Sequence, residues 1–236
     1  MVLSTNHGSA SPANFADPSI QRLRRTRFAE IINYILSYNQ ARGITKSLDA
    51  AALHDLEHRY GAADPAPGYS KYLDVQFWMH AKLRRVRALG LHKAPFRRVL
   101  DLGTGTGYFP YLTKLLGNEA VGLDVGDIPF YDEMIALLGV ERHTCMIMPF
   151  ESLPDLGRFD LVTAFQICFN KCPNGDDWGI EEWDFFRRDV VDHALNPGGR
   201  LMLEFNGLPS AEVARYFADL GATVTNSVIS GVYPRH

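Results

Sequence analysis

The sequence predicts an α/β fold: a doubly wound, mostly parallel sheet preceded by a helical cap. Three observations lead there. From Arg97 onward, short aliphatic runs ("RRVLDL", "EAVGLDV", "HTCMIM", "FDLVTAF", "GRLMLEF") alternate with amphipathic stretches, the pattern of βαβ units. The first run opens directly into "GTGTG", a glycine-rich turn between a strand and a helix. Ahead of it, Ser19 to Leu91 keeps a helical period.

The elements follow in order. Residues 1–18, rich in Ser, Ala, Asn and Pro, read as a loosely held tail. Residues 19–95 form the cap, and 96–236 the sheet domain. The cap's first helix carries Ile20, Leu23, Phe28, Ile31, Ile32 and Ile35 and is expected to stop at Gly43. Its second spans "SLDAAALHDLEHRYG" with Ser47 as N-cap, and its third spans "SKYLDVQFWMHAKLRRVRALG" after the breaker "ADPAPG". Within the sheet domain, helices are expected near Tyr108–Leu116, Pro129–Leu138, Gly179–Leu195 and Ser210–Leu220. In the third of these, Trp183, Phe186, Val190 and Ala194 recur at three- and four-residue steps before "NPGG" stops it.

With 236 residues the chain can bury a full core, and a net charge of -3 gives no global pull toward nucleic acid or membrane. No apolar run reaches the roughly 20 residues of a bilayer span, and no export signal is visible. Cys145, Cys168 and Cys172 lack framework or metal-ligand spacing, which fits a reducing cytoplasm and no metal.

The glycine turn carries the chemistry. Asp101 stands two residues before Gly103, where a carboxylate would repel a pyrophosphate but attract a cationic amine. The dinucleotide fingerprint, moreover, needs its third glycine where this chain has Tyr108. The ligand at this turn should therefore carry positive charge.

From Arg97 to Phe205, "VLDLGTGTG" and the runs after it resemble the motifs of the class I S-adenosylmethionine-dependent methyltransferases, a Rossmann-like family. The resemblance implies S-adenosyl-L-methionine as cofactor and S-adenosyl-L-homocysteine as product. By that resemblance Asp101 would hold the methionine ammonium, and Gly103, Thr104 and Gly105 would line the methionine and ribose. Asp124, with Val125 beside it, would accept hydrogen bonds from the ribose hydroxyls. "MPFESLP" resembles the adenine clamp, although Pro149 replaces the usual Asp or Asn. Phe150 would there offer its backbone N–H and ring, and Glu151 an acceptor. Phe165 would stand near the sulfur.

Methyl transfer is an in-line displacement that needs a base only for a protonated acceptor. Asp176, Asp177 and His80 are the candidates for that base, each with a structural alternative: N-caps for the two acids, a helix-surface or core position for the histidine. Glu204 and Asn206 lie at the fifth strand's tip. No Asn/Asp-Pro-Pro-aromatic run follows the fourth strand, and Cys172-Pro173 reverses the order of a Pro-Cys nucleophile. "RLRRTR", Arg22 to Arg27, reads as a solvated helix face rather than a phosphate contact. The acceptor is therefore expected to be a small metabolite or a glycan or lipid precursor, methylated on O or N, and not nucleic acid. Aromatic residues Tyr69, Tyr72, Phe77, Trp78, Phe169 and Trp178 either enclose it or pack the cap onto the sheet. The alternatives are a regulatory protein that keeps the fold and a nicotinamide oxidoreductase.

After the last helix only "GATVTNSVISGVYPRH" remains. That leaves room for one full strand or two short ones, and so for a shortened sheet edge. Either the N-terminal helices or the second subunit of a homodimer would cover such an edge.

Overall fold

A computed structural model describes residues 18–61, 69–93, 95–126 and 128–233. The tail before Pro18, "ADPAPG" and the side chains of Ile20 to Arg27 and Phe28 lie outside the described residues.

The cap consists of α1 (Pro18–Ser47), α2 (Ala50–Tyr60), a short 3-10 turn (Ser70–Leu73) and α3 (Val75–Ala88). Gly43 does not stop α1, which runs on to Ser47; an isolated glycine costs a helix only about 1 kcal/mol, and Ile44 is buried beyond it. The N-cap of α2 is Asp49, not Ser47: its carboxylate accepts from the backbone N–H of Ala51 at 2.9 Å and of Ala52 at 3.1 Å, while Ser47 Oγ donates back to Ile44 O. The third expected helix is split at Asp74, which caps α3 by accepting from the N–H of Phe77 at 3.0 Å.

The sheet has seven strands in the order β3-β2-β1-β4-β5-β7-β6. They are β1 (Arg98–Leu102), β2 (Glu119–Asp124), β3 (Glu141–Thr144), β4 (Phe159–Ile167), β5 (Leu195–Phe205), β6 (Thr223–Thr225) and β7 (Val228–Val232). The first five are parallel, whereas β7 runs antiparallel to β5 and β6. Between the strands run α4 (Tyr108–Leu115), α5 (Pro129–Leu138), α6 (Ile180–Asp189) with a π-helical turn at Val190–Ala194, and α7 (Ala211–Asp219).

The β3 strand begins at Glu141, two residues before the expected "HTCMIM", because it pairs only as far as Thr144 against Asp124. The alternating run after α7 is a hairpin, turned at Asn226 with φ 52°, so the edge is built of two short strands. Among the described residues, α2 packs on α5, and α3 on α1 and α4, rather than on that edge. No described helix is long and apolar enough to cross a membrane.

Two apolar clusters lie on the two faces of the sheet. Met79, Leu83 and Val86 of α3 join Phe109 and Leu112 of α4 on one face, while Trp183, Phe186 and Phe217 pack on the other. Strand order reverses between β1 and β4, and the carboxyl ends of those two strands open the crevice in which sheets of this kind bind ligands.

Candidate functional site

At that crevice lies a cavity of about 440 Å³, bounded by the glycine turn, the tips of β2 and β4, and the cap. Gly103 and Gly105 line it with φ of 69° and 57°. Both positions favour glycine because an L side chain rarely adopts positive φ. A Cβ on Gly103 would meet nothing within 4 Å, and one on Gly105 only Tyr131 at 3.9 Å. The turn thus presents bare backbone to the cavity.

Four of its five N–H donors are already spent. The N–H of Gly103 donates to Leu123 O at 2.7 Å, that of Thr104 to the same oxygen at 3.3 Å, and that of Gly107 to Thr104 O at 3.1 Å. The N–H of Gly105 donates to the Asp124 carboxylate, whose other oxygen accepts from the N–H of Val125 at 2.7 Å. Asp124 and Val125 both line the cavity. Burial raises the Asp124 pKa against the pull of these two donors. The carboxylate keeps lone pairs for a further donor.

Asp101 stands behind the wall. Thr163 Oγ donates to its Oδ1 at 2.8 Å and Thr104 Oγ to its Oδ2 at 2.9 Å, and the residue is 3% exposed. Burial pushes its pKa up to about 6, while Lys82 and the two hydroxyls pull it down. The carboxylate therefore acts on the cavity through Thr104 and through its field.

The other expected residues scatter. Phe165 lines the cavity. Phe150 and Glu151 do not; Phe150 is 52% exposed, holds φ 63° and packs its ring against Phe185, and the wall beside them is made by Met146, Ile147 and Met148. Asp176 and Asp177 are exposed on the loop after β4. There Asp177 pairs with Lys171 at 2.7 Å, and Asp176 accepts from Asn174 at 2.8 Å. Neither caps α6, whose N-cap is Gly179, tied to Glu182 at 3.0 Å. His80 is buried against Tyr34 and Tyr38 of α1, away from the cavity, and burial lowers its pKa. Glu204 is bound to Arg85, and Asn206 donates to the carbonyls of Gln166 and Ile167 at 3.1 Å.

Of the aromatic residues, Tyr72, Trp78 and Phe169 line the cavity, whereas Trp178 packs with Trp183 and Phe186 in the core. Tyr108 ties the turn to the cap by donating to Tyr72 O at 2.6 Å.

Among the lining residues that the sequence did not single out is a cation. Lys82 of α3 lines the cavity with its Nζ 5.1 Å from the centre of the Phe165 ring. Its signal lay in the spacing: Met79, Lys82 and Val86 share one helical stripe, so a cation falls among buried positions. Among the described residues no cluster of three His, Cys, Asp or Glu residues suits a metal ion.

No protein-family model matches the chain, and no curated protein sequence matches it. Its path is similar to solved structures at low identity. The ribosomal protein L11 methylase from Lactobacillus delbrueckii subsp. bulgaricus is 20% identical over 66% of this chain and 80% of its own, with a TM-score of 0.43. The magnesium protoporphyrin IX methyltransferase of Synechocystis PCC 6803, solved with bound S-adenosylmethionine, is 16% identical over 76% of this chain and 90% of its own, at 0.46. The S-adenosylmethionine-dependent methyltransferase SibL is 17% identical over 93% and 78%, at 0.44. The order of the strands, the antiparallel pair that closes the sheet and the glycine turn set between two carboxylates give this chain the fold of the class I S-adenosylmethionine-dependent methyltransferases.

Proposed function

We propose that the chain binds S-adenosyl-L-methionine and transfers its methyl group to oxygen or nitrogen of a small organic acceptor. The observation that carries this reading is the state of the glycine turn. Four of its N–H groups, those of Gly103, Thr104, Gly105 and Gly107, are spent inside the protein, and two acids flank it. A pyrophosphate would find repulsion there and few free donors. A ligand with a cationic tail and a neutral sugar diol meets complementary chemistry, which disfavours a nicotinamide cofactor.

The residues fit that ligand in detail. Asp124 would accept from the ribose hydroxyls, held rigid by Gly105 and Val125. Gly103 and Gly105 let the backbone approach the ligand closely, and Asp101 supplies negative charge from behind Thr104. Met146, Ile147 and Met148 would lie against the adenine, in the place expected of Phe150 and Glu151. When bound, the cofactor supplies an electrophilic methyl group on a sulfonium. The chain's own part is to orient the acceptor and exclude water, and the rings of Tyr72, Trp78, Phe165 and Phe169 suit a compact apolar acceptor.

The test is to incubate the protein with methyl-labelled S-adenosylmethionine and a cell extract split by size. Label is expected in the small-molecule fraction. Label confined to nucleic acid or protein, or no transfer above a blank, would refute the reading.

A further inference from the structure

Lys82 is not used by that account, and its surroundings are specific. It projects from α3 onto the same cavity as Gly103 and Thr104. Among the described residues no carboxylate lies within ion-pair distance of its ammonium, whereas Arg85, one helical turn on, is committed to Glu204 through two donors, one at 2.9 Å. Lys171, the other cation on the wall, is committed to Asp177. Burial and Arg85 push the Lys82 pKa down to about 8, and Asp101 and Glu204 pull it back up. Lys82 in turn is the charge that most favours the ionised form of Asp101. Lys82 thus sets a positive charge on the cavity wall, and Asp101 a negative one behind Thr104 of the same wall.

An α-amino acid is the dipole complementary to that arrangement. We infer that Lys82 binds the α-carboxylate of the cofactor's amino-acid tail, so that the site selects nucleosides carrying the whole amino acid over those carrying only the amine. The inference rests on the reading of the cavity as a S-adenosylmethionine site. An amine without its carboxylate would bring a second cation beside Lys82 with nothing between them, and the discrimination follows from that repulsion as well as from the lost ion pair.

The experiment compares three ligands by titration calorimetry: S-adenosylhomocysteine, its decarboxylated amine analogue, and 5′-methylthioadenosine, which has no tail. Wild type is expected to prefer S-adenosylhomocysteine to the amine by about 30-fold or more, the scale of one charge-assisted contact. Lys82→Met, with Lys82→Gln as a second variant, is expected to erase most of that preference and leave methylthioadenosine within about 3-fold of wild type, well inside the tenfold that 1.4 kcal/mol represents. Lys82→Arg should restore the preference. An unchanged preference in both neutral variants, or equal weakening of all three ligands, would overturn the role given to Lys82. Failure of wild type to bind any of the three would instead overturn the reading of the cavity, and the inference with it.

Discussion

Replacing Asp101 by Asn should make the protein more stable and less able to bind. The carboxylate is buried between two threonine hydroxyls, and its pKa is raised from 3.8 to about 6. The sign follows from linkage. A folded pKa above the unfolded one means the ionised form is penalised in the native state. The penalty is absent below about 3.8, grows as pH rises through the window, and is complete above about 6. The difference amounts to about 3 kcal/mol at pH 7.5 and falls below about 1 kcal/mol at pH 4. The attraction of Lys82 is already contained in that balance. An amide retains the shape and one acceptor, so a gain of about 2 kcal/mol is expected for Asp101→Asn, or roughly 4–8 °C in Tm at this chain length. Thermal unfolding at pH 7.5 and pH 4, without ligand, measures it, and binding of S-adenosylhomocysteine should fall about 10-fold or more with loss of the counter-charge. A variant that melts lower at pH 7.5, or whose gain is as large at pH 4, would refute the reasoning.

Further outcomes follow from other contacts. Asp124→Ala should weaken S-adenosylhomocysteine by about 30-fold or more, because it removes a charged acceptor for the ribose and frees the N–H groups of Gly105 and Val125; calorimetry reads this directly. Affinity for the same ligand should form a bell in pH, lost below about 6 as Asp101 takes a proton and above about 8 as Lys82 releases one. Arg85, Glu204 and Asp124 are the other charges acting on this pair. Because the ligand's own amine titrates on the alkaline limb, a shift of that limb in Lys82→Arg isolates the lysine. Gly107→Ala should cost about 1–3 kcal/mol in a denaturant melt, since φ is 80° and its Cβ would come within 2.6 Å of Ile135. Gly103→Ala meets no neighbour, so it should cost the fold only the roughly 1–2 kcal/mol of an L residue at positive φ, and it should weaken the ligand by more than that. His80→Phe should leave binding unchanged and shift stability by under about 1 kcal/mol, because that ring packs the cap with an unpartnered Nε2.

The parallel strands were legible because strands buried on both faces read as near-continuous aliphatic runs, and the expected "RRVLDL" and "EAVGLDV" begin and end within a residue of the sheet's own pairing. The β3 strand was misplaced because its four residues, "ERHT", are polar and half or fully exposed, and no apolar pattern marks them. Ser47 outbid Asp49 as a cap only on residue type; which oxygen reaches a free N–H is a matter of φ and ψ. In the site, Asp124, Val125 and the glycines line the cavity where the sequence put them, because the backbone path alone fixes those positions. Phe150 and Glu151 were not, because positive φ at Phe150 turns that segment so that the preceding residues form the wall. Lys82 lies far from the turn in sequence, and only the packing of α3 brings the two together.

Direct binding tests the central claim best: titration of the wild-type protein with S-adenosylhomocysteine, with NADH as the competitor. The account predicts one molecule of S-adenosylhomocysteine bound per chain, strongly weakened by Asp124→Ala and untouched by excess NADH. Saturable binding of NADH that Asp124→Ala abolishes, with no heat from S-adenosylhomocysteine, would contradict it.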